Sequence, residues 1–168
     1  MNTRVATLAI TKEAVITFVV LLGIATVAPL SGNQFITGPI VNASLLIAVV
    51  LLGMRDALLI GLISSTVALA TGLLPAMLAP MVPFIILGNA ILVITFGYLR
   101  HLNYWLGIVS GSVLKFVFLF GTSSIVANFL INEQLARKEA AMLSWSQLVT
   151  ALAGGLLAYS FLKYTKKS

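Results

Sequence analysis

The sequence predicts an all-α membrane protein: a bundle of six transmembrane helices forming a single integral membrane domain over residues 1–168. Three observations predict it. First, 60% of the residues are hydrophobic and only 8% are charged, more apolar surface than a soluble fold of this size can bury. Second, the uncharged runs are long. Ala14 to Met54 is a run of 41 residues and Ala57 to Leu99 a run of 43, each about twice the ~20 needed to cross a bilayer. Third, the charged residues fall at the ends of these runs and largely on one side of the expected membrane.

Each long run must fold back once, at turn residues. In the first, the break is the stretch from Pro29 to Gln34. In the second, it is Gly72 to Pro75, continuing through Pro80 and Pro83. The expected spans are therefore 13–30, 36–54, 57–74, 82–99, 104–129 and 142–162, with turns at Arg55-Asp56 and Arg100-His101 and a polar loop from Asn132 to Glu139. Helices are required because backbone groups in lipid must be paired within the segment, and the runs are too uniformly apolar for barrel strands. The N-terminus does not read as a cleaved signal, since its apolar run follows Lys12-Glu13 and further spans come after it.

Orientation follows from the cations. Arg4, Lys12, Arg55, Arg100, Lys163, Lys166 and Lys167 fall on one side. The other side holds Arg137 and Lys138, offset by Glu133 and Glu139. The positive-inside rule places both termini in the cytoplasm, which an even span count also demands. The expected location is the cell membrane, multi-pass, with membrane lipids as partners.

Several functions are excluded. The net charge of +6 is spread along span ends rather than gathered on a soluble face, so no nucleic-acid partner is expected. The chain has no cysteine and one histidine, His101, so no metal site is expected. No paired acids, Ser/His pair or glycine-rich phosphate loop is present, so neither catalysis nor a cofactor is expected. No carboxylate lies within a span, which argues against a carboxylate-based ion relay.

One cation is different. Lys115 stands in the middle of the fifth span, where a charge costs about 2.5–3.5 kcal/mol on insertion scales. It needs partners. Asn89 lies ten residues before the end of span four and Lys115 eleven after the start of span five. At about 1.5 Å per residue, both sit about 15 Å from the same face. The uncharged polar residues also favour the outer half: Gln34, Thr37 and Asn42; Ser64, Ser65, Thr66 and Thr71; Thr122, Ser123 and Ser124; Ser144, Trp145, Ser146, Gln147 and Thr150. Ser112, Lys115 and Thr122 share a helical face. The expected site is an outward cavity with Lys115 and Asn89 as its floor, joined by Ser112, Thr122, Gln147 and Asn42. Trp145 or Phe84 would pack on the apolar part of the ligand. No acid in the spans neutralises Lys115, so the missing charge is expected to arrive with the ligand, as a carboxylate or phosphate. Small-residue stripes (Gly107/Gly111, Ala57/Gly61/Ser65, Gly154/Ala158) mark close helix contacts, mostly within the chain.

This pattern resembles a known family: the substrate-binding S component of energy-coupling factor (ECF) vitamin transporters. The cues are the turn Leu52-Gly-Met-Arg-Asp-Ala-Leu-Leu-Ile-Gly61, the proline-rich loop before Gly88-Asn89, and Lys115. Members often carry an Ala-xxx-Ala pair in the first helix for docking; here Gly23, Ala25 and Ala28 do not give that spacing. The resemblance implies capture of a vitamin-like small compound, and partnership with a transmembrane coupling subunit and two ATPase subunits. The apolar residues of the loop Thr71–Pro83, among them Leu73, Leu74, Met77, Leu78 and Met81, need cover from water, so the loop is expected to fold over the pocket and gate it, or else to lie as a short helix on the lipid surface. The alternatives are a self-sufficient small permease or channel, working as a dimer through Gly107/Gly111, or a membrane scaffold subunit.

Overall fold

The computed structural model describes residues 12–71, 81–123 and 145–165 with their side chains, and the helical path of 124–130 and 133–144. All regular structure among these residues is helical. The helices are α1 (Lys12–Val27), α2 (Gln34–Leu51), α3 (Met54–Ala70), α4 (Val82–Leu99), α5 (Tyr104–Leu130) and α6 (Glu133–Tyr164). Among the described residues, five helical segments are long and apolar enough to cross a membrane, the first being α1 with the turn that follows it, Lys12–Ser31; α3 has 17 residues. The chain is a multi-pass helical membrane protein.

Local chemistry sets the joints. A 3-10 turn over Ala28–Ser31, with Pro29 near its start, ends α1 earlier than residue 30. Asn33 then caps α2, its side-chain oxygen accepting from the Phe35 N–H at 2.9 Å. The turn expected at Arg55-Asp56 lies instead at Leu52-Gly53. Gly53 takes φ +104°, a conformation open mainly to glycine. Arg55 and Asp56 thus fall in the first turn of α3, where the Asp56 carboxylate faces the positive end of the helix dipole. The sixth helix starts at Glu133, not at residue 142. Glu133 to Ala140 is rich in strong helix formers, so the helix begins nine residues earlier than the apolar run. At 32 residues α6 is about 48 Å long, and its apolar stretch is Trp145–Tyr164. Of the proline-rich loop, residues 72–80 lie outside the described residues, and with them the expected cap over the pocket. Pro83 occupies the first turn of α4, where its missing N–H has no helical partner to lose.

The centre of the bundle is α2. Every residue from Asn42 to Val49 is buried, as expected for a helix enclosed on all sides; it packs on α1, α3, α4 and α6. Small residues bring α6 onto it. A Cβ on Gly154 would lie 2.9 Å from the Pro39 carbonyl oxygen and 3.0 Å from the Ala43 nitrogen, so here the two backbones nearly touch. Gly107 and Gly111 of α5 pack against Phe96, Arg100 and Leu92 of α4. That stripe is filled from within the chain and is not free as a dimer face.

Polarity is segregated along the bundle. Toward the end that carries Lys12 and Tyr164, the core is apolar: Leu45, Leu46, Val49, Phe96, Ala158 and Leu162. Phe96, Tyr104, Trp105 and Tyr159 interlock there at 5.1–5.8 Å between ring centroids, and the Tyr104 hydroxyl donates to the Gly155 carbonyl. Most of the buried polar side chains, among them Asn42, Ser64, Asn89, Lys115, Gln147 and Thr150, lie nearer the opposite end.

Candidate functional site

The site begins with a turn. Leu102 and Asn103 donate backbone hydrogen bonds to Leu99, and the Asn103 side chain caps α5 by accepting from the N–H groups of Trp105 and Leu106. This tight connection fixes the register of α4 against α5, so Asn89 and Lys115 arrive at the same depth. Gly88 assists: its missing side chain leaves room for Leu119 of α5, whose atoms lie 3.1 Å from where a Cβ would be.

Lys115 is 2% exposed. Its ammonium donates to Asn89 Oδ1 at 2.8 Å and to Asn42 Oδ1 at 2.7 Å. One side chain thereby ties α5 to α4 and α2. The orientation of both amides follows from chemistry: a lysine ammonium only donates, so each asparagine must turn its oxygen to it and its NH2 group away. Two of the three ammonium hydrogens are spoken for. Among the described residues, no carboxylate lines the cavity beside it.

These three side chains border a cavity of about 120 Å³. Its walls come from the end of α1 and the turn after it (Ala25, Pro29), the start of α2 (Gln34, Thr37, Gly38, Val41), the second half of α3 (Ser64, Ser65, Ala68), the start of α4 (Val82, Ile85) and Gln147 of α6. The walls are mixed. Thr37 donates to the Ala28 carbonyl at 3.1 Å, and Ser64 is within 3.4 Å of the Gly61 carbonyl. A second, apolar crevice of about 200 Å³ lies between α3 and α4, lined by Ala57, Leu58, Gly61, Leu62, Ile86, Ala90 and Val93. Asn89 borders both spaces.

Of the residues expected at the site, Lys115, Asn89, Asn42 and Gln147 line the cavity. Four others do not. Thr122 spends its hydroxyl on its own helix, donating to the Phe118 carbonyl at 2.8 Å. Ser112 is fully buried, its Oγ without a partner among the described residues. It shares Lys115's helix face but, about one turn away, is not part of the lining. Trp145 is 58% exposed and leans on Phe35 with ring centroids 5.8 Å apart. Phe84 is half-buried, outside the lining. Gln34, Thr37, Ser64 and Ser65 also line the cavity; none is among the expected ligand contacts, although all four belong to the polar half of the spans.

Chemically, the arrangement is a fixed cation with hydrogen-bonding neighbours at the border of a small cavity. Among the described lining residues there is no acid and no histidine. No protein-family model, no curated protein and no solved structure matches this chain.

Proposed function

We propose that this chain is the substrate-binding subunit of an ECF-type importer, capturing a vitamin-like small organic compound in the cavity bordered by Lys115. The observation that carries the reading is the buried ammonium itself. It is held at mid-bundle by two asparagines and borders a cavity of mixed, mainly apolar walls, with no counter-ion among the described lining residues. An ammonium that only locked helices together would be better replaced by apolar packing. One beside a cavity is suited to recognising something that enters it.

The positive-inside pattern supports an orientation with both termini in the cytoplasm and the cavity toward the outside. The chain also has little with which to drive transport. Its acidic residues all fall within the first two turns of helices, none at the depth of Lys115. A dependent role beside a coupling subunit and two ATPases fits this poverty.

Reconstitution tests the proposal. The purified chain in liposomes should bind its compound without moving it across the bilayer, and a cysteine replacing Asn33 should label from outside while one replacing Arg55 should not. Solute uptake by the chain alone would favour a self-sufficient permease. Labelling at position 55 from outside would invert the orientation.

A further inference from the structure

We infer that the ligand of this cavity is a small monocarboxylate, seated by its carboxylate on the Lys115–Asn42–Asn89 cluster. The inference deepens the capture reading above and rests on it. The lysine fixes both amides with their oxygens inward (2.7 and 2.8 Å), so what the cluster has left to offer is donors: one ammonium N–H and the NH2 groups of Asn42 and Asn89. All three residues border the cavity, and each is at least nine-tenths buried. A ligand group that meets donors only must be an acceptor, and one that meets an unneutralised ammonium is best served by an anion.

The count of charges selects among anions. Lysine supplies one positive charge, and the lining holds no arginine, histidine or second lysine among the described residues. A carboxylate balances it one for one, whereas a phosphate dianion would leave a buried negative charge uncompensated. The volume selects further. About 120 Å³ is near the size of a dry cavity known to admit benzene, about 150 Å³, so the part of the ligand seated in it is compact. Gln147, Thr37 and Ser64 on the walls provide polar contacts for groups beyond the carboxylate.

The test uses isobutyrate and isobutyramide, two compounds of about benzene's bulk that differ in charge but hardly in shape. Each is titrated by thermal shift against the purified full-length protein, with inorganic phosphate alongside. Isobutyrate should bind about ten- to a hundred-fold more tightly than isobutyramide, the ratio expected for a charge-assisted contact. The preference should vanish in Lys115→Met and also in Asn89→Asp. The second variant keeps the hydrogen bond to the lysine while supplying a carboxylate of its own, so it guards against loss of fold in the first. Equal binding of the two probes, stronger binding of phosphate, or a preference that survives in both variants overturns the carboxylate assignment and leaves small-molecule capture standing. If no probe shifts the wild-type protein at any concentration up to solubility, capture by this cavity falls with it.

Discussion

Asn89→Leu is expected to destabilise the protein by about 1.5–3 kcal/mol, and a second change, Lys115→Met, should return most of that loss. The leucine removes one of the two acceptors that hold the buried ammonium. Hydrogen bonds to charged groups are worth about 1.5–3 kcal/mol, more than the ~0.6 kcal/mol average measured between neutral polar groups in a membrane bundle. Overpacking should not confuse the result, because Asn89 borders both the cavity and the α3/α4 crevice of about 200 Å³, which leaves room for a branched side chain. Removing the charge as well removes the reason for the penalty, since replacing a buried polar group and its partner together by apolar ones is often neutral. The measurement is a double-mutant cycle of unfolding midpoints in detergent without ligand. Additive losses from Asn89→Leu and Lys115→Met would mean that the two residues do not act as a unit.

The second large effect lies at the crossing of α2 and α6. Gly154→Val should cost at least the ~1–3 kcal/mol typical of overpacking. A Cβ there would sit 2.7 Å from Asn42 Cβ and 2.9 Å from the Pro39 carbonyl oxygen, and backbone cannot swing aside as a flexible side chain can. Because Asn42 is one of the two acceptors for Lys115, the same change should also weaken ligand binding. Gly121→Ala is the control. Among the described residues nothing lies within 4 Å of a Cβ at Gly121, so alanine there should be neutral or stabilise by up to about 1 kcal/mol through reduced backbone entropy. Thermal melts of the two variants beside wild type decide it. Equal stability of Gly154→Val and wild type would mean that the close approach does not hold α6 in place.

Much of the architecture was legible because hydropathy and charge report directly on membrane helices. Asn89 and Lys115 could be matched by depth because α4 and α5 are joined by a short turn, and their side chains meet at 2.8 Å. Boundaries were less legible where apolar length and helix length part company. α6 continues through the polar residues Glu133–Glu139, which favour helix whether or not they sit in lipid. The turn near residue 53 was misplaced by two residues because the charges drew attention away from Gly53, whose φ of +104° makes the bend. At the site, spacing along one helix was a poor guide. Ser112 and Thr122 share a face with Lys115, yet Thr122 turns back on its own helix, and Ser112 lies outside the lining. The cavity is built from side chains on six helices, and their convergence depends on how α2 threads the bundle. No single segment's periodicity encodes that. Asn42 was recognisable as polar and buried, but not as the acceptor closest to Lys115.

The central claim is that the cavity around Lys115 holds a small organic ligand through that lysine. The most direct measurement is mass spectrometry of the small molecules that co-purify with wild type and with Lys115→Met, both extracted from membranes in parallel. The account predicts a compound bound in a fixed ratio to the wild-type protein and depleted about ten- to a hundred-fold in the variant, with both proteins folded by their melting curves. Equal recovery of the same compound from both would contradict it, and would place the ligand away from Lys115.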